Sequence, residues 1–124
     1  MTMSAKAAEL TAAPEEITPY QVINLLLDGA LNRVDQAISR LTEGEIDEAA
    51  NLVQKTIGIV GGLRDSLDME AGGDIAKNLD VLYGYIADRL EKIGNDDAPI
   101  TVLDEVRKLL SEVHEGWVGI ADQV

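Results

Sequence analysis

The sequence predicts an all-α fold, an antiparallel up-down four-helix bundle over residues 18–122 preceded by a flexible N-terminal tail over residues 1–17. Three observations predict it. Four stretches space their apolar residues by threes and fours, the period of one helix face. The breaks between them carry Gly, Pro or capping side chains and are short, as antiparallel neighbours require. No segment alternates apolar and polar residues as a half-buried strand would.

The tail is rich in Ala, Thr, Pro and Glu and has little periodicity. Thr18 and Pro19 then start the first helix: the Thr hydroxyl accepts from an orphan amide, and Pro at the first helical position forfeits no bond. Ile23, Leu27, Ala30, Val34, Ile38 and Leu41 form its stripe, to about Thr42. Gly44 suits a positive φ at the break. The second helix restarts behind it, with Ile46, Ala49, Val53, Thr56, Val60, Leu63 and Leu67 in its seam, and with Gly58, Gly61 and Gly62 inviting a bend. Leu67–Gly73 closes that segment, and Asp74 is placed to cap the third helix, whose stripe is Ile75, Leu79, Leu82, Ile86, Leu90 and Ile93. Gly94–Pro99 stops it. A fourth helix from near Ile100 carries Leu103, Val106, Leu110, Val113, Trp117 and Ile120. Helices of roughly 20 to 24 residues, each about 30 to 36 Å long, fit a single bundle.

A length of 124 residues is one domain's worth, and 46% apolar with 27% charged residues is a globular balance. Ten Lys and Arg against 23 Asp and Glu leave a net charge of −13, which repels nucleic acid and anionic membrane surfaces. The absence of Cys closes disulfide, thiolate and Cys-based metal chemistry. No apolar run approaches the roughly 20 residues a membrane span needs, and the first residues lack the apolar centre of a signal peptide, so a cytoplasmic protein is expected. With no Phe and aromatics at 3%, the core falls to Leu, Ile, Val and Ala.

Little catalytic chemistry is on offer. The one histidine, His114, cannot supply the paired Glu-x-x-His of a di-metal bundle, and no serine sits in a nucleophile turn. A phosphotransfer bundle using His114 is an alternative, but its neighbours Glu115 and Gly116 offer no cation to steady a phosphoryl group. Gly72-Gly73 matches neither the phosphate-loop nor the calcium-loop frame and reads as a helix end followed by a helix cap. Neither a cofactor nor a metal is expected, and the chain is not read as an enzyme.

Apolar surplus is what stands out. Val22–Leu27 has a single polar member, Asn24, and successive helical residues point about 100° apart, so one core stripe cannot hide them all. Leu52 and Ile59 form a second pair off the main stripe of helix two, as do Val102 and Leu109 on helix four. These spare positions, with Leu25, Leu26 and Leu27, are candidates for an apolar groove that receives another helix, and Gly58, Gly61 and Gly62 would let it approach closely. A self-assembling bundle pairing the same stripes between identical chains is the competing use.

Certain segments resemble a known family. Pro19-Tyr20-Gln21-Val22-Ile23 with Leu26-Leu27-Asp28-Gly29-Ala30-Leu31, then Leu67-Asp68-Met69-Glu70-Ala71-Gly72-Gly73-Asp74-Ile75-Ala76-Lys77-Asn78-Leu79, Leu82-Tyr83-Gly84-Tyr85, Arg89-Leu90 and Trp117 are similar to the motifs of the flagellin-export chaperones, the FliS family. The likeness covers about residues 18–120. Leu27 stands where that family commonly has Tyr, and the tail lacks the Tyr-containing segment that members fold over their own surface, leaving Leu10 or Ile17 to stand in. The resemblance implies a four-helix bundle that binds the C-terminal helical segment of flagellin, prevents premature polymerisation and hands it to the flagellar type III export apparatus. It adds Tyr83 and Tyr85 to the partner-binding candidates and gives Asp28, Gly29, Asn78 and Arg89 a structural role. A homodimer when free of client, and a bundle serving another flagellar partner, are the alternatives it leaves.

Overall fold

The computed structural model describes residues 18–121; the expected tail, with Leu10 and Ile17, and residue 122 lie outside the described residues. The chain forms α1 (Pro19–Thr42), α2 (Ile46–Asp65), α3 (Met69–Glu91), a 3-10 turn (Ile93–Asn95) and α4 (Pro99–Ala121), with no strand among the described residues. Each helix packs on its neighbour in sequence and α4 returns to α1, closing a ring. The pairs across α1 and α4 run in opposite senses, Asp28 beside His114 and Asp35 beside Arg107, as an up-down bundle requires.

Local chemistry sets the boundaries. The Thr18 hydroxyl accepts from the Gln21 amide at 3.2 Å while the Gln21 side chain accepts from the Thr18 amide at 3.1 Å, a reciprocal cap with Pro19 just inside it. After Thr42 the chain turns through Gly44 at φ 80°, as expected. Arg40 gathers Glu43, Glu45 and Glu48 at this turn, at 3.2, 3.1 and 3.4 Å. The hydrogen bond and charge of Glu45 push the Glu48 carboxyl up from its ordinary value, against the pull of Arg40.

Helix α2 runs unbroken through Gly58, Gly61 and Gly62, without the bend their propensity invites. Its opposite face explains this: Val53, Thr56, Val60 and Leu63 are buried, and burial of that stripe outweighs about 1 kcal/mol per glycine. The Thr56 hydroxyl donates to the Leu52 carbonyl at 2.8 Å, so a polar group is buried without being left unpaired. Ile46, at the helix start, is 63% exposed and lies outside the seam expected of it.

Asp68, not Asp74, makes the cap bonds of α3, accepting from the amides of Glu70 and Ala71 at 3.1 and 3.0 Å. A kink at Gly73 (φ 53°, ψ −130°) follows, and beyond it Leu79, Leu82, Ile86, Leu90 and Ile93 of the expected stripe pack on the core. Ile86 and Leu90 face the core as expected, but Ala76 and Tyr83 replace Ile75, which is 68% exposed.

The core joins Leu27, Val34, Val60, Leu63, Ile86, Leu90, Leu103 and Leu110. On α4, Val102, Leu103, Val106 and Leu110 are buried, whereas Val113 and Trp117 are half-buried and the side chain of Ile120 lies outside the described residues. The core therefore fills one end of the bundle more completely than the other. No described helix is long and apolar enough to cross a membrane.

Candidate functional site

Where α1 and α3 begin and α2 and α4 end, the helices leave an apolar cavity of about 660 Å³. Helix α1 contributes Pro19, Tyr20, Val22 and Ile23. The end of α2 and the following turn supply Leu63, Ser66, Leu67 and Asp68. Helix α3 brings Ala71, Gly72, Ile75, Ala76, Leu79 and Tyr83, and α4 brings Trp117.

Each wall has a local cause. The Trp117 indole stacks on Tyr20 and its N–H donates to the Tyr20 carbonyl at 3.0 Å, fixing the α1–α4 edge. A Cβ at Gly72 would lie 2.7 Å from the Cβ of Ala76, so only glycine lets the first turn of α3 fold back this closely. Gly73 then takes a backbone conformation that residues with a Cβ rarely adopt, which sets the angle between that turn and the rest of α3.

Two polar side chains of the wall are already engaged. Ser66 donates to the Leu63 carbonyl at 2.7 Å, and Asp68 is held by the two amides it caps. Burial pushes the Tyr83 phenol up from its ordinary value. Among the described residues no group of His, Asp or Glu could hold a metal ion. The chemistry left to this cavity is desolvation of apolar side chains, and its lip already exposes some of that surface: Val22 is 44% and Ile75 68% accessible.

The structure does not gather the expected partner-binding residues into one site. Leu27, Tyr83 and Val102 are buried, at 0%, 2% and 1% exposure; Leu27 and Val102 complete the core, because broad faces of the helices are covered at those depths, which corrects their placement on an outer groove, and Tyr83 is the core member of the Tyr83 and Tyr85 pair. Leu26, Leu52, Ile59 and Leu109 are half-buried against the core, and Leu25 and Tyr85 are exposed. Of these nine, Tyr83 alone lines the cavity. The Tyr85 hydroxyl donates to the Glu105 carboxylate, within 3.1 and 3.0 Å of its two oxygens, and that bond, with burial and the charge of Glu105, raises the phenol's pKa against the pull of Arg89. Arg89 holds the same Glu105 at 2.9 Å, the bundle-holding role expected of it, while Asn78 is exposed and makes no such link. His114 Nε2 lies 2.9 Å from Asp28 Oδ1, closed off from solvent and not aligned as a hydrogen bond.

Apart from Val22, which belongs to the apolar run of α1, the cavity residues do not show as spare stripes, because Ile23, Leu63, Leu79 and Trp117 belong to the main ones. A main stripe that its neighbours fail to cover looks no different in sequence from one that they seal. The available signal was the pair of motif-like segments, Pro19–Ile23 and Leu67–Leu79, which supply most of the lining.

Comparison with known proteins agrees with those segments. The sequence model of the family described as "Flagellar protein FliS" matches residues 1–124. The chain belongs to the FliS family. It is 43% identical over 112 residues to flagellar secretion chaperone FliSB of Pseudomonas aeruginosa, covering 90% of this chain and 88% of that protein. The flagellar secretion chaperone FliS of Salmonella typhimurium is 37% identical over 107 residues, 84% of this chain and 77% of its own length. The Vibrio cholerae FliS, also named a flagellar secretion chaperone, is 32% identical over 110 residues, covering 89% and 77%.

Proposed function

We propose that this FliS-family chain is a cytoplasmic export chaperone that binds the C-terminal helical segment of flagellin, keeps it from polymerising and hands it to the flagellar type III export apparatus. One observation carries the reading. The segments that resemble the family's motifs, Pro19–Ile23, Leu67–Leu79 and Trp117, converge on a single apolar cavity with an exposed lip. A flagellin end that is disordered alone exposes apolar helical positions whose self-association builds filament. Seating them in the cavity removes that surface from competition.

From the lip, Val22 and the 65% exposed Leu25 continue the apolar surface along α1, with Leu26 and Ile59 half-buried beside it. A client longer than the cavity runs on over these residues, and the half-buried Leu52 and Leu109 are further candidates. Burial of ~1,500 Å² would offset the several kcal/mol of ordering the segment. The net charge of −13 keeps a protein with an open apolar mouth in solution, and two client-free copies pairing across their mouths is the state from which a client must displace one.

Calorimetric titration with a peptide of the flagellin C-terminal segment tests this. Binding should show a negative heat-capacity change and an affinity altered less than about threefold by a tenfold rise in salt. Absent binding, or affinity that collapses with salt, would overturn the reading.

A further inference from the structure

We infer that the α3–α4 seam is the side of the bundle that opens to widen the cavity, hinged on a polar clasp of Tyr85, Glu105 and Arg89. The inference rests on the cavity as the receptor site proposed above. It adds which wall moves.

The other seams are linked nearer the cavity or packed more extensively. α1 and α4 are joined by Asp35 with Arg107 in the middle and by the Trp117–Tyr20 bond at the cavity end. α2 and α3 are tied by Arg64 to Asp80 at 2.7 Å, the guanidinium lying so close over Gly84 that a Cβ there would meet it at 3.2 Å. α1 and α2 pack most extensively of all the pairs.

The α3–α4 seam is different, because these helices approach each other least of the four adjacent pairs. Their polar links sit at the end next to the 3-10 turn: Tyr85 on the Glu105 carboxylate at 3.0 Å, and Arg89 on Glu105 at 2.9 Å. From Glu105 towards the cavity, no side-chain hydrogen bond or ion pair among the described residues joins α3 to α4. Core burial thins farther along: Val106 and Leu110 are fully buried, but no described residue of α4 beyond Leu110 is. With Tyr85 opposite Glu105 in antiparallel helices, Val81 one turn earlier falls opposite Leu109 one turn later, and Val81 is 71% exposed. Two rods clasped at one end and neither bonded nor buried against each other at the other part most easily at the free end, which is where the cavity lies.

The chain has no cysteine, so Val81→Cys with Leu109→Cys gives a seam that mild oxidation locks and reduction releases. The locked protein should bind the flagellin peptide at least about tenfold more weakly than the reduced one. Equal affinity in the two states would overturn the inference. Amide exchange, which needs no client, separates this inference from the proposed function. In the wild-type chain residues 111–119 should exchange faster than the middle of α1. Tyr85→Phe with Glu105→Gln should raise their exchange by about fivefold or more without altering α1 or α2. Unchanged exchange sinks the seam even if the peptide binds. If reduced and wild-type proteins both ignore the peptide while exchange behaves as expected, it is the function that fails.

Discussion

Trp117 lies flat on Tyr20, the ring centroids 5.1 Å apart and the planes 7° from parallel, so one aromatic pair ties the last turns of α4 to the first turn of α1 and walls the cavity. As the one tryptophan of the chain, it reports on that wall alone. Peptide binding should therefore change its emission, and an unchanged spectrum on saturation would place the peptide elsewhere. Trp117→Phe keeps a ring on Tyr20 but loses the indole bond, an expected cost of about 1 kcal/mol in urea unfolding. Trp117→Ala should cost about 2 kcal/mol, less than a fully buried Trp would, because the side chain is half-exposed.

The glycines divide by environment. A Cβ at Gly58 or Gly62 meets nothing within 4 Å, and both sit in regular helix, so Gly58→Ala and Gly62→Ala should each stabilise the chain by about 0.5–1 kcal/mol. Gly73→Ala should instead cost about 1–3 kcal/mol, because φ 53° with ψ −130° suits glycine almost alone. Urea midpoints check both signs. If the α2 substitutions stabilise yet weaken peptide binding, the open glycine face is also a client contact.

That division shows what the sequence carries. Helix order, the Thr18 and Gly44 boundaries and most of the core stripes were legible, because they depend on period and local capping. The exposure of Ile75 was not, since it faces the open cavity, while Leu79, Leu82, Ile86, Leu90 and Ile93 of the same expected stripe pack on the core. Nor was the cavity, because its existence depends on how far apart four helix ends lie, and no spacing along one helix encodes that distance. Leu27 and Val102 were misplaced for the complementary reason. Counting spare apolar positions assumes a narrow buried stripe, and here the covered faces are broad enough to take them in.

Acid should loosen the α2–α3 seam. The hydrogen bond from Arg64, aided by its charge and opposed by desolvation, holds the Asp80 carboxyl below its ordinary value of 3.8. A carboxyl with a depressed folded pKa adds stability above the unfolded value and loses it as pH falls through the folded one. The stability gap between wild type and Asp80→Asn should thus be full near neutral pH, shrink as pH drops below about 3.8, and narrow with added salt because the pair is partly exposed. Comparing the single variant matters, since Glu48, raised by Glu45, titrates with the opposite sign. A gap that stays constant into acid would mean that Arg64 gains nothing from the ionised form.

Ile75 and Ile46 offer the sharpest test of where a client sits. Both are exposed isoleucines, at 68% and 63%, so Ile75→Asp and Ile46→Asp should each leave unfolding within about 0.5 kcal/mol of wild type. Both add one negative charge to a chain already at −13, so any general electrostatic penalty on a client is shared between them. They differ in position: Ile75 stands on the cavity lip, and Ile46 opens α2 at the opposite end of the bundle. Burying an aspartate against an apolar helix costs several kcal/mol unless it finds a partner, and Asp68 and Ser66 beside the lip are already engaged. Ile75→Asp should therefore weaken peptide binding by at least about tenfold, with Ile46→Asp near wild type. Equal losses would make charge the cause, and a loss confined to Ile46→Asp would move the client to the far end.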